Sequence, residues 1–317
     1  MKNWTKLLIF GLACILVFTF ASGAFTAPKK YHFVLVSRLY GHPYWKNVED
    51  GQMTAAKKLG IDAQYIGPDA VEVAPQINEM ESLIAEEVDG IAVGPNDPEA
   101  LNPYIQKAID AGIPVITLDT DAPKSARLTY IGTDNKAAGK IAGEKMAKLT
   151  KGAGQIGIIV AGIGSANMNE RLAGVKEALA KYPKMKVLTV EDGKGDLNTD
   201  YQVAVAMLQG YKEMTGIIGL SADAPLGIAK AVEEAKKQGQ IKIAGFDALP
   251  QTVDYIKSGT ISGTVVQREW LMGYLTMATL LKIKQGEKVP PMVDTGTLWA
   301  DKSNVDKLPA LLKKAPK

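Results

Sequence analysis

Cysteine is all but missing from this chain: one residue, Cys14, in 317. Histidine occurs twice, as His32 in an apolar run and His42 in a turn. Thiol nucleophiles, disulfide frameworks and His/Cys metal centres therefore have almost nothing to be built from. An excess of one charge is lacking too. Lys+Arg number 37 against 34 Asp+Glu, and setting aside Lys2 and Lys6 of the N-terminal segment leaves 35 − 34 = +1. A nucleic-acid partner needs a concentrated positive surface, and this balance offers no electrostatic case for one. The longest uncharged apolar run, 7–20, is short of the roughly 20 residues that a membrane span takes.

That run has a different reading. Lys2 and Lys6 form a basic start, 7–20 an apolar middle, and Ser22-Gly23-Ala24 the small-x-small site that signal peptidase cuts. Residues 1–24 are thus expected to be an export signal, and the mature protein to be secreted or periplasmic. Retention as an anchor and lipidation of Cys14 are the lesser alternatives, the second because Leu12 sits one place from where a lipoprotein signal wants it. The 293 residues left (317 − 24) exceed the usual span of a single core, so two lobes are expected.

What the sequence does have is alternation. Short β-branched runs at 32–37, 63–66, 90–93, 115–119 and 129–132 read as strands. A second set follows at 155–160, 186–190, 216–220, 242–246 and 262–267. Amphipathic stretches such as 47–59, 75–87, 101–111, 136–150, 169–181, 199–213 and 226–238 separate them, several ending at a glycine (Gly60, Gly112, Gly152, Gly239) suited to a left-handed stop. Strands apolar on both faces between such helices mean an α/β fold with parallel sheets covered on both sides. Ten strands are too many for one compact sheet, and the natural division falls at Thr133-Asp134-Asn135.

Ligands of such sheets bind beyond the carboxyl ends of the strands. The first of these ends carries Ser37, His42, Tyr44 and Trp45, a hydroxyl and an imidazole beside aromatic rings. Flat rings next to hydrogen-bonding groups suit a sugar, with its apolar C–H faces and hydroxyl rim. Core packing at the top of a helix explains the rings equally well. Five polar residues recur at strand ends: Ser37, Asp119, Thr133, Asp247 and Gln267. Carboxylates accept strongly from hydroxyls. The plainer readings are a turn residue before Ala122-Pro123 for Asp119 and a cap of the helix at Pro250 for Asp247.

The ordered set 36–37 with 43–45, Gly112 to Asp119, Ile131 to Asn135, Glu170 to Gly174, Ala244 to Asp247 and Gly263 to Gln267 resembles the ribose-binding branch of the periplasmic solute-binding proteins. The resemblance spans nearly all of the chain after the signal. It implies two Rossmann-like lobes of the type I periplasmic-binding fold joined by a three-crossing hinge, the first lobe taking about 29–133 and 268–290, the second 134–267 and 291–317. The crossings would fall near 133–134, 267–268 and 293–294. It implies a ligand held between the lobes by Asp119, Asp247 and Arg171, whose planar fork grips adjacent hydroxyls. The plainer reading of Arg171 is a surface ion pair with Glu170 or Glu177. Asn169 could serve one position earlier, and Asp121 shares the Asp119 turn.

Three positions depart from the ribose-binding pattern. His42 stands in place of an asparagine, with one extra residue in its loop. Ala222 stands in place of another asparagine, leaving Asp223 as a helix cap. Gly193-Lys194-Gly195 replaces an aromatic. The ligand expected is a monosaccharide or polyol, with a sugar acid or amino sugar open. The expected function is that of the binding component of an ABC transporter, with the permease as partner, no cofactor, no catalysis and a monomeric state. Presentation of the closed form to a chemoreceptor or histidine kinase is the alternative. A dinucleotide enzyme is disfavoured because Gly162-Ile163-Gly164 lacks the third glycine. A sugar-responsive repressor would need a DNA-binding helix pair where the export signal stands.

Overall fold

A computed structural model describes residues 30–312; the expected export signal and Cys14 lie outside them. The first sheet is built from β1 (His32–Val36), β2 (Asp62–Ile66), β3 (Gly90–Val93), β4 (Val115–Leu118) and β5 (Tyr130–Gly132). Around it pack α1 (Pro43–Leu59), α2 (Val73–Ala85) and α3 (Pro98–Asp110). The second sheet repeats the plan. After α4 (Asn135–Leu149) come β6 (Ala153–Val160), α5 (Ala166–Leu179), β7 (Lys184–Asp192), α6 (Leu197–Gly210), β8 (Gly216–Gly219), α7 (Ala224–Glu234), β9 (Lys242–Phe246), α8 (Pro250–Ser258) and β10 (Gly263–Val266). The chain then returns with α9 (Glu269–Lys284) and β11 (Met292–Asp294), and leaves again with β12 (Leu298–Ala300) and α10 (Leu308–Leu312).

The strand orders are β11-β5-β4-β3-β1-β2 and β12-β10-β9-β8-β6-β7, so β1 to β5 of one sheet match β6 to β10 of the other place for place. Every pairing is parallel except β10 with β12 at the edge of the second sheet. All ten expected strands form. Gly60, Gly112, Gly152 and Gly239 all take positive φ, between 70° and 78°. The chain passes between sheets three times: from β5 into α4, from β10 into α9, and from β11 into β12.

Two boundaries move. The expected 290/291 division falls just before β11, which pairs with β5 and so belongs to the first sheet. The third passage accordingly lies between Asp294 and Leu298. β11, directly after Pro290-Pro291, and β12 are three residues long each, too short for a periodic signal. Helix α1 starts at Pro43 rather than 47, because proline is already preset for the first helical turn and His42 caps it.

Each lobe holds its helices tightly through glycines. A Cβ on Gly51 would meet the Trp270 carbonyl oxygen at 1.9 Å, and one on Gly273 the Val48 carbonyl oxygen at 1.9 Å, fixing α1 against α9. In the second lobe Gly139 and Gly174 do the same for α4 and α5, against the Arg171 and Lys136 carbonyl oxygens at 2.0 and 2.1 Å. These contacts matter because α1 and α5 carry side chains into the cleft.

Candidate functional site

The carboxyl ends of both sheets face a common cleft of about 210 Å³. At ~30 Å³ per water this is room for about seven waters, the scale of a single small ring molecule. On the first-lobe side His42, Tyr44 and Trp45 enter from the start of α1, and Asp119 from the end of β4. Tyr44 and Trp45 meet edge to face, with centroids 5.5 Å apart. They also belong to the lobe's apolar core. Core packing and cleft lining are therefore one arrangement, in which the core sets the rings and their edges reach the cleft. The Tyr44 hydroxyl donates to Asp119 Oδ1 at 2.6 Å. Burial, reinforced by the Asp119 carboxylate, pushes the Tyr44 hydroxyl well above its ordinary pKa, so it remains a donor.

Asp119 and Asp247 hold the same place in the two sheets, after β4 and β9. Both take the left-handed region, at φ 62° and 61°, and both are buried. The backbone is clamped the same way in each lobe. The Tyr130 hydroxyl donates to the Asp119 carbonyl at 2.8 Å, and the Thr264 hydroxyl to the Asp247 carbonyl at 2.8 Å. Neither aspartate caps a helix, since α8 begins after Leu249 with no side-chain cap. Burial raises the Asp247 carboxyl to about 6, opposed by the Arg171 charge and by the hydrogen bond from Gln267 Nε2 to Oδ1 at 3.0 Å.

Arg171 is 2% exposed, which rules out the surface ion pair; Glu177 is paired instead with Lys136 and Lys140. Its Nε donates to Asn135 Oδ1 at 2.9 Å and its Nη1 to the Leu220 carbonyl at 2.9 Å. The guanidinium lies 4.5 Å over the Phe246 ring. Neither hydrogen bond uses Nη2, and the side chain lines the cleft. Gln267 lines it as well, with Oε1 buried and without a protein partner.

Of the residues singled out in the sequence, His42, Tyr44, Trp45, Asp119, Arg171, Asp247 and Gln267 line the cleft, and four do not. Ser37 is fully buried beneath it, its hydroxyl packed against Gly67 and its carbonyl accepting from Gln76 Nε2 at 3.1 Å. Asp121 turns away to Arg127, whose Nη2 donates to Oδ2 at 2.6 Å. Thr133 is buried at the first passage between lobes, its carbonyl accepting from the Tyr130 hydroxyl at 3.3 Å. Asn169 is exposed, on the outer face of α5.

Others enter unannounced. Arg38 follows Ser37 directly and lines the cleft, its Nε donating to Asn96 Oδ1 at 3.1 Å and its Nη1 to Thr120 Oγ1 at 3.3 Å. Asn167, two residues before Asn169 and buried, also lines it. So does Ser221, with a buried hydroxyl that has no protein partner. Asp223 is not a cap: α7 has no side-chain cap bond, and the carboxylate faces the cleft. A larger crevice of about 450 Å³ between α8, α10 and Trp270 is lined by Val253, Val305, Leu308 and Pro309 together with Asn47, Asp254, Lys257, Glu269 and Asp306. Among the described residues no cluster of His, Asp or Glu is arranged to hold a metal ion.

Residues 33–288 match the model of the periplasmic binding protein domain family. The D-ribose/D-allose-binding protein of Pseudomonas aeruginosa is 27% identical over 269 residues, covering 82% of this chain and 84% of that protein. A glucose-galactose binding protein from Geobacillus stearothermophilus superposes with TM-score 0.84 at 34% identity, over 87% of this chain and 98% of that one. The protein solved as the XylFII-LytSN complex superposes with TM-score 0.82 at 27% identity, over 87% and 99%.

Proposed function

The chain belongs to the periplasmic binding protein domain family, and from that premise we propose that it captures one monosaccharide or related polyol between its lobes. In this reading the lobes close on the sugar by motion at the three crossings, and the closed form delivers it to the permease of an ABC transporter. One observation carries the proposal: two buried aspartates at matching strand ends, one per lobe, face a single small cleft flanked by Tyr44 and Trp45. Asp119, Asp247 and Gln267 would accept from ligand hydroxyls, Arg171 and Arg38 would donate to ligand oxygens, and Trp45 would cover an apolar face of the ring. The sugars named for the relatives support the ligand class.

Chemistry on the ligand forms no part of this reading. His42, the only histidine in the cleft, has Nδ1 engaged as a helix cap. A neighbour known from the XylFII-LytSN complex supports a second reading, in which the closed form is presented to a sensor protein. A thermal-shift screen over pentoses, hexoses, polyols and sugar acids tests the proposal. A ligand at about 100 times its Kd adds about 2.7 kcal/mol to the folded state, a rise of several degrees. No rise with any member of the panel would overturn the sugar reading.

A further inference from the structure

Among the described residues, side-chain contacts span the cleft from lobe to lobe. In the interior, Asn167 Nδ2 donates to Thr120 Oγ1 at 3.3 Å, both residues being buried. Nearer the solvent, His42 Nε2 stands 3.4 Å from Asp223 Oδ2, with side chains 19% and 21% exposed. The outer pair is composed in an unusual way. His42 caps α1, its Nδ1 accepting from the Tyr44 N–H at 3.2 Å. A ring nitrogen that accepts leaves the proton of the neutral imidazole on the other nitrogen, so Nε2–H is the donor facing the second lobe. Asp223 stands at the N-cap position of α7 yet makes no cap bond. An aspartate cap is ordinarily worth about 1 kcal/mol to its helix, and here that use is forgone for a position across from His42.

We propose that His42 and Asp223 form a clasp between the lobes, one that holds the closed form without touching the ligand. The proposal rests on the reading that the lobes part to admit a ligand. It makes His42 a positioning residue rather than a ligand contact. It also gives the departure at this turn a purpose: of the three cleft-lining residues Ser221, Ala222 and Asp223, Ala222 contributes no polar group and Asp223 stands across from His42. Because a clasp stabilises closure itself, its loss weakens every ligand by the same factor and speeds dissociation.

Two substitutions dissect the pair without unpicking a helix. His42→Asn retains a good capping side chain but ends it short of Asp223. Asp223→Ala removes no cap bond. Each variant and the double variant are made in a Cys14→Ser background carrying spin labels at Tyr40→Cys and Ile163→Cys, which are 53% and 61% exposed on opposite lobes. Interlobe distances are measured with and without sugar, and dissociation constants are measured for each sugar that binds. The expected result is a smaller closed population in each single variant and no further change in the double. Affinity should fall about two- to fivefold, alike in singles and double and alike for all sugars, the scale of a partly exposed polar contact. Effects that multiply in the double variant, or that fall on one sugar alone, would overturn the clasp. Were no sugar to bind the parent protein, the functional reading would fail, while the sugar-free distances would still decide the clasp. An unchanged distance distribution overturns it.

Discussion

Asp119 and Asp247 occupy a backbone region that costs a residue with a side chain about 1–3 kcal/mol, and they persist there because the surrounding hydrogen bonds leave no alternative. That strain aims two carboxylates at one point. Asp247→Asn keeps the shape and removes the charge, so it should weaken sugar binding about tenfold, read by calorimetric titration. The same substitution carries a pH signature. A carboxyl raised from 3.8 to about 6 is protonated more in the folded than in the unfolded chain across that window. Stability of the sugar-free protein should therefore fall as pH rises from about 4 to 6. Asp200, fully buried with both oxygens unpartnered and raised to about 8 by burial and by Asp223, extends the fall toward pH 8. Melting temperatures at pH 4, 6 and 8 should lose the lower part of this slope in Asp247→Asn and the upper part in Asp200→Asn. Unchanged slopes in both would contradict the assignment.

At the level of elements, the site depends on how closely α1 and α5 can approach α9 and α4. Gly139→Ala should cost about 1–3 kcal/mol of stability, since its Cβ would meet the Arg171 carbonyl oxygen at 2.0 Å. It should also weaken ligand binding, because α5 carries Arg171. Gly286→Ala, at φ 82° with nothing within 4 Å, serves as the contrast: strain in a remote turn, with affinity intact. Denaturant melts and titrations on the two variants separate these effects. The strands were legible because buried parallel strands are written as unbroken β-branched runs, and the helix stops because glycine alone is at ease at positive φ. The edge strands β11 and β12 were not, being three residues each and fixed by their neighbours rather than by their own pattern. The site divided likewise. Asp119 and Asp247 could be found by counting to the end of a strand. Ser37 satisfies the same count but points beneath the cleft, and its neighbour Arg38 takes the place. Asn169 and Asn167 differ by two residues on α5, nearly opposite faces, and only the packed helix decides between them.

The described residues form two matching sheets linked at three places, and the side chains proposed to hold the ligand lie on the surfaces that face each other across the gap. In the proposed capture by closure, Thr120–Asn167 and His42–Asp223 are contacts that would part as the lobes open, and a ligand that binds the closed form better would shift the balance toward it. Substitution of Trp45 by alanine should cost binding about 1–3 kcal/mol if the ring covers the sugar. Since Trp45 is also core, affinity is to be measured on the folded fraction alongside the melt. The most direct test of capture by closure is small-angle X-ray scattering of the protein with and without the best sugar from the thermal-shift screen. The account predicts a smaller radius of gyration at saturating sugar, with a profile matching the closed structure. An unchanged radius at saturation would contradict it.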